Sequence, residues 1–541
     1  MRISPIKLQA QHTLINDYRN QKPDIMQYFD YDPYKEATYK KRLEILQEKD
    51  INREQLTEAL TEMNEQWDAP ESANRAIERL KDENSVVVIG GQQAGLLTGP
   101  LYTINKVISV IQFAKQQEAK LDVPVIPVFW IAGEDHDYEE INHVYLPEMN
   151  RMKKHTLPQQ TSGKLPVSDI QIDGTKLLTW INHLFDQLPE TDQTKALYQT
   201  ILDCQEQSAT YVDFFARFLY QLLGDEEIIL ADSGNPAMRN LEREYFVRMI
   251  EQQAQISNGV QTSVQQLKNQ GYTVSLDVEP HDAHLFYHRH NERILLVRDN
   301  EGNWCGKQNE MILTHQEMLE IAENHPSHLS NNVVTRPVMQ ESLFPTLAFI
   351  GGPGEVSYWA ALKPAFHAVG IEMPPVLPRL SFTFVDRGVE KILTKYGIEA
   401  SHAINYGLDD VKTQWLAAQS DPPVRQVAEE VRQAIRRVHQ PLREIASDIG
   451  ADLGELADKN LYYLNGNIDF LEKRLLKTMD TKYAKEISEF DLAHHIFHPE
   501  NGLQERIWNP LPLINDHGPC FIRQLASESL SFTEEHYIVY L

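Results

Sequence analysis

Glu134, Asp135, His136, Asp137, Glu139, Glu140 and His143 all fall in the stretch "PVFWIAGEDHDYEEINH", residues 127–143, behind an apolar run that stops at Gly133. A histidine set between carboxylates suits acid–base work, because its neighbours tune its proton affinity. The catalytic candidates are therefore Asp135, His136 and Asp137. The same three offer oxygen and nitrogen ligands to a metal, but D-H-D in a turn is not a zinc arrangement and H-E-x-x-H is absent, so no firm metal is expected. Spacing of seven would put His136 and His143 on one helix face, two turns apart. A solvated acidic helix start is the plainer alternative.

Glycine loops supply a second kind of chemistry. "GGQQAGLLTGP", residues 90–100, holds Gly90, Gly91, Gly95 and Gly99, with Gln92 and Gln93 between them and Thr98 near the end. Its spacing is neither a P-loop nor G-x-G-x-x-G. A helix starting at Pro100 would present unpaired N–H groups to a phosphate or carboxylate, with Tyr102, Asn105 and Lys106 as further donors. "GGPGE" repeats the design with Gly351, Gly352, Gly354 and Glu355, followed by Tyr358. In "NVVTRPVMQES", Arg336, held extended before Pro337, would clamp a carboxylate or phosphate, with Gln340 nearby. "PRLSFTFVDR" adds Arg379, Ser381 and Thr383. "NGLQERIWNP" adds Asn501, Gln504, Glu505 and Arg506, candidates for a second polar pocket. Tight turns, surface ion pairs and local capping are the alternatives for each.

These residues need a scaffold that gathers them. "SVVVIGG" is β-branched without alternation, as in a strand buried on both faces. It begins the first of four segments that run apolar strand, small or acidic residues, helix; the others are "VPVIPVFWIAGEDHD", "EEIILADSGNPAMRN" and "FPTLAFIGGPGEVSYWA". Alternation of this kind predicts an α/β fold, a doubly wound parallel sheet whose strand ends converge on one crevice, with Trp130 and Glu134 on its wall. In the third segment Ser233 or Asn235 would cap a helix, with Pro236 in its first turn. The predicted division is an N-terminal helical region packing on the core (1–84), core (85–149), first insertion (150–226), core (227–259), second insertion (260–335), core (336–408), coiled-coil arm (409–488) and a tail packing back on the core (489–541). In the arm Val424, Val427, Val431, Ile435, Val438, Leu442, Ile445 and Ile449 step by three or four, a seam interrupted by Pro441, Gly450 and Gly454.

The 541 residues carry a formal net charge of −27, which disfavours nucleic acid as a partner. Three cysteines, Cys204, Cys305 and Cys520, form no C-x-x-C. No apolar run is long enough to span a membrane and the start has no signal-peptide core, so a cytoplasmic location without a membrane partner is expected.

The segments "GGQQAGLLTGPLYTINK", "FWIAGEDHDYEEIN", "NVVTRPVMQESLFPTLAFIGGPGEVSYWA" and "NGLQERIWNPLP" closely resemble the bacillithiol synthase family, BshC, the cysteine-adding enzymes of bacillithiol biosynthesis. The resemblance runs nearly end to end. It implies a ligase joining cysteine to the amine of glucosaminyl-malate, the last step to the thiol. It also implies the class I aminoacyl-tRNA synthetase layout: a Rossmann-like core, two connecting insertions and a C-terminal coiled coil supporting a homodimer. Of that class's H-I-G-H, only Gly99 is present, within Leu97, Thr98, Gly99 and Pro100; "RLSFT" stands where K-M-S-K-S would. Cysteines for a thiol-selecting zinc are lacking. ATP is the expected activator, its phosphates or an acyl oxyanion held by Gly90, Gly91, Gly99 and the helix start. Asp135, His136 or Asp137 would orient or deprotonate the amine, and Arg336 and Arg379 would take the malate carboxylates. A metal-dependent hydrolase or nucleotidyltransferase centred on residues 135–143 is one alternative. A nucleotide-binding coiled-coil scaffold without catalysis is another.

Overall fold

The computed structural model describes every residue except 10, 11, 149, 150, 162, 291 and 309. Five strands form the central sheet: β1 (Val86–Gln92), β2 (Val125–Ile131), β3 (Ile229–Asp232), β4 (Thr346–Gly351) and β5 (Val376–Pro378). Their order is β3-β2-β1-β4-β5 and every pairing is parallel. All seven residues of β2 are buried, which explains a run with no polar alternation. This is the dinucleotide-fold order, and its direction reverses between β1 and β4. A ligand crevice therefore belongs at the carboxyl ends of those two strands. Helix α1 (Leu101–Leu121) follows β1, α2 (Thr335–Leu343) precedes β4, and α3 (Pro353–Trp359) follows it.

The first insertion is mainly helical, with helices Gly174–Phe185, Thr194–Glu206 and Tyr211–Leu223. The second builds its own five-stranded antiparallel sheet, in which Glu292–Arg298 and Leu329–Asn331 flank Asp282–Arg289. After β3, Asn235 caps the helix Pro236–Leu241 by accepting from Ala237 N–H, with Pro236 in the first turn as expected.

Two compact units make up the chain. The first holds both sheets and regains the chain at Gln504. Its ends meet there: Arg2–Ile6 pairs antiparallel with His536–Tyr540, joined in a three-stranded sheet by Phe382–Val385. The second unit holds residues 385–503 and is helical, its longest elements α4 (Val424–Ile449) and α5 (Ala451–Lys482). Ion pairs Arg432–Asp469 and Arg443–Asp458 run α4 and α5 antiparallel as a hairpin. Only Gly450 breaks the helix. Pro441 sits inside α4, contrary to expectation, where a proline costs roughly 3 kcal/mol. Gly454 is also helical, and a side chain there would press within 2.8 Å of Ser447 Oγ across the hairpin. Among the described residues no helix is long and apolar enough to cross a membrane.

Candidate active site

A cavity of about 450 Å³ lies at the switch point. Gly91, Gln92, Gln93, Trp130 and Asp135 line it from the β1 and β2 ends, and Arg336 and Gln340 from α2. The side of β4 and β5 gives Gly352, Gly354, Glu355, Tyr358 and Arg379, while Tyr102 and Lys106 come from α1. Arg506, from the short helix α6 (Gln504–Ile507), and Glu140 complete the wall. Four cations thus meet three carboxylates, Asp135, Glu140 and Glu355, in a chain of strongly negative charge.

Two of the four cations are already spent on the protein. Lys106 Nζ donates to Gly91 O (2.6 Å), Gln92 Oε1 (3.2 Å) and Glu355, which uses its three N–H groups. Burial lowers its proton affinity while Glu355 opposes that shift. Glu355 also accepts from Gly352 N–H, so it caps its own helix. Arg379 grips Glu505 with two bonds of 2.7 Å, and Asn105 donates to the same carboxylate. Burial opposes but Arg379 outweighs it, holding the Glu505 carboxyl down at about 2.

Arg336 and Arg506 differ. Arg336 Nε donates to Glu134 (2.7 Å), and one terminal nitrogen stands 3.9 Å from Asp135 Oδ2, an ion pair within the cavity, but the terminal nitrogens make no hydrogen bond among the described residues; Arg506 is exposed and makes none there either. Arg336 lies in the first turn of α2 and not in an extended segment. The Asn332 side chain accepts from Val334 and Thr335 N–H and starts the helix, and proline is tolerated in a first turn.

Beneath the cavity Glu134 is fully buried. It accepts from Arg336, Arg239 (3.0 Å) and the Asn331 N–H (3.1 Å), and Arg239 is held in turn by Glu242 (2.8 Å). Desolvation raises the Glu134 carboxyl, but Arg336, Arg239 and Arg293 outweigh it and keep it ionised. Beside it, Asp135 accepts from Gln93 (3.1 Å) and from Arg293 (3.2 Å). Arg293 also donates to His136 Nδ1 (3.0 Å) and lies over the Phe286 ring at 3.7 Å. Asp135, His136 and Asp137 bring ligand atoms within 4.8 Å of one another. A cation there would have to displace the guanidinium that holds two of the three. His136 and His143 do not share a helix: a turn and the short helix Tyr138–Ile141 separate them, and His143 opens a strand.

Several expected residues stand elsewhere. Gly90, Gly95, Thr98 and Gly99 lie outside the cavity lining. The first turn of α1 is closed by protein, since Leu101 N–H donates to Trp508 O and Asn509 donates to the Leu97 and Gly99 carbonyls. Gly90 and Gly91 serve strand packing: a methyl would stand 3.0 Å from Ile350 O at the first and 2.5 Å from Trp130 O at the second. Gly99 needs its positive φ of 69°. Ser381 and Thr383 bind the two ring nitrogens of buried His536 at 2.7 and 2.8 Å. Gln504 pairs with both backbone groups of Phe384, and Glu505 and Arg506 belong to the main site. Asn501 lies in the second unit, in the turn Pro499–Asn501. Arg293 and Arg239 carry no sequence motif, and they act at separations of 158 and 105 residues.

Sheet order and crevice together define an α/β protein with a Rossmann-like core and a polar cavity at its switch point. Residues 1–380 match the family description "Bacillithiol biosynthesis BshC, N-terminal Rossmann-like domain", and residues 382–541 match the C-terminal coiled-coil domain of the same family. A relative from Oceanobacillus iheyensis is 43% identical over the full length of both chains, and one from a Geobacillus species 39% over the full length of both. Each carries the name "Putative cysteine ligase BshC". The chain belongs to the BshC family of bacillithiol biosynthesis. A solved structure titled "putative arginyl t-RNA synthetase" from Campylobacter jejuni covers 85% of this chain and 99% of its own, at 10% identity and a TM-score of 0.22, too low to carry an argument.

Proposed function

We propose that this chain joins cysteine to the amine of glucosaminyl-malate, the last step of bacillithiol synthesis, after ATP-dependent activation of the cysteine carboxylate. The supporting observation is the cavity itself, where Arg336 and Arg506 keep donors for anionic groups while Asp135 offers an acceptor to an amine. In the joining step the amine nitrogen bonds to the cysteine carbonyl carbon. The bond to the phosphoryl or adenylyl oxygen breaks, and the amine loses one proton. Malate carboxylates fall to Arg336 and Arg506; Arg379, reserved by Glu505, sets the wall. Phosphates would meet these same free donors, because the first turn of α1 is closed.

Incubating purified protein with glucosaminyl-malate, cysteine and ATP should yield the thiol product by mass spectrometry. AMP released alongside it marks adenylation, and ADP an acyl phosphate. Intact protein that binds nucleotide yet yields no product would leave the scaffold reading ahead.

The hairpin supports a homodimer. Val438, Leu442, Ile445 and Ile449 form one stripe on α4 and are 57–74% exposed, an apolar face that soluble monomers rarely leave open. Replacing Leu442 and Ile445 together by Glu should turn a dimer into a monomer in sedimentation. An unchanged sedimentation coefficient would remove α4 from the interface. The three unpaired cysteines support a reducing cytoplasmic setting.

A further inference from the structure

Arg293 reaches the acidic turn from the strand Glu292–Arg298 of the insertion sheet, and it is 3% exposed. Each of its three nitrogens is engaged. Nε donates to Ser330 Oγ (3.0 Å) and one terminal nitrogen to Asn331 O (2.7 Å). The other terminal nitrogen serves both Asp135 Oδ1 (3.2 Å) and His136 Nδ1 (3.0 Å). The Phe286 ring covers the guanidinium and also meets the His136 ring edge-on at 5.9 Å. A guanidinium only donates, so His136 Nδ1 must accept, and a neutral imidazole then carries its proton on Nε2.

We propose that Arg293 is a positioning residue that fixes the acidic turn in one protonation state, His136 neutral with its proton on Nε2 and Asp135 ionised, so that His136 serves as a hydrogen-bond donor and not as a general base. The one ring nitrogen that could receive a proton faces a cation. Nε2 looks toward Asp137 Oδ1 at 3.9 Å, and that carboxylate favours a donor there. The charged groups around the ring are Asp135 and Asp137 on its own turn, Arg293 on the insertion strand and Lys164 on the following loop. Burial and then Arg293 lower the His136 proton affinity, and the two aspartates oppose them without prevailing. Asp135 is likewise held ionised: burial is outweighed by Arg336 and Arg293, which makes it a poor proton acceptor but a good hydrogen-bond acceptor.

A consequence follows for the proposed reaction, on which this part of the inference rests. The acceptor amine must shed its proton to solvent and arrive neutral, its lone pair directed by Asp135. The pH dependence of kcat/KM would then follow the amine's own ionisation and show no imidazole limb.

The test reads the tautomer directly and needs no turnover. Full-length protein labelled with nitrogen-15 in its histidine rings is titrated by NMR, and the His136 signals among the 20 histidines are identified by their loss in His136→Gln. Wild type should show an unprotonated Nδ1, a protonated Nε2 and a midpoint below the ordinary value of about 6.5. Arg293→Met should raise that midpoint by about one unit or more, since the two aspartates then face only burial and the smaller effect of Lys164. Arg293→Lys, which keeps the charge but loses the fork, should fall between. A wild-type His136 protonated on Nδ1, or titrating at or above about 6.5, overturns the proposal even if Arg293→Met does not fold. A wild-type chain that makes no thiol but shows the expected tautomer sinks the reaction and leaves the role of Arg293 standing.

Discussion

Glu505→Ala should destabilise the first unit by about 3–5 kcal/mol, read as a lowered urea midpoint at neutral pH. Glu505 is 2% exposed and its partner Arg379 is 5% exposed. Removing the carboxylate strands a guanidinium whose one other hydrogen bond among the described residues is to Leu380 O (2.9 Å), and leaves the Asn105 amide without its acceptor. Breaking a buried pair from one side is costly because the remaining charge stays out of water. The pair also fastens α6, where the chain re-enters this unit, to the end of β5.

The pH dependence separates this effect from a packing loss. In the folded protein Glu505 titrates at about 2, against an ordinary 4.5. A folded value below the unfolded one stabilises above the unfolded value, and that contribution drains away as pH falls from about 4.5 toward 2. The shift corresponds to about 3 kcal/mol. The difference in stability between wild type and Glu505→Ala should therefore be full at neutral pH and shrink across that acid window. A difference that stays flat through the window would show that Glu505 contributes volume and not charge.

How much of this was legible in the sequence depends on the range over which each cause acts. The parallel sheet was readable because "SVVVIGG" and "VIPVFWI" are buried on both faces, a property of each segment alone. The crevice followed, since strand ends at Gly91, Trp130 and Gly351 must share one edge. Local chemistry beyond that differs from its local pattern wherever a tertiary contact intervenes. The glycine loop suggests a phosphate cradle until Trp508 and Asn509, some 400 residues on, close the helix start. Arg336 reads as extended because proline follows it, but the Asn332 side chain nucleates a helix across that proline. Arg293 lies in "NERILLVRD", within the second insertion, where nothing in the local pattern marks it out. Its burial comes from contacts with Asp135 and His136, in the acidic turn after β2, and with Ser330 and Asn331. Pairing likewise decides which cations are free, and no pattern in the chain shows that Lys106 and Arg379 are bound to Glu355 and Glu505.

Arg336 is thereby singled out as the cation with the largest expected effect on turnover. Its Nε is pinned by Glu134, which is fixed from two further directions by Arg239 and the Asn331 N–H. The fork is thus aimed before any ligand arrives, and pre-aimed donors lose little entropy on binding. Arg336→Ala should lower kcat/KM for the thiol-forming reaction by about 10²–10³-fold, the equivalent of roughly 3–4 kcal/mol for losing one side of a buried charged contact. Lysine should rescue poorly, because one ammonium cannot both hold Glu134 and reach the ligand. The loss should fall mainly on KM for the dicarboxylate-bearing amine and much less on KM for cysteine. Stability should suffer less than in Glu505→Ala, since Glu134 keeps Arg239 and a backbone donor. A folded Arg336→Ala enzyme within about threefold of wild type, or one whose KM rises equally for both substrates, would take the malate carboxylates away from Arg336 and leave Arg506 as their receptor.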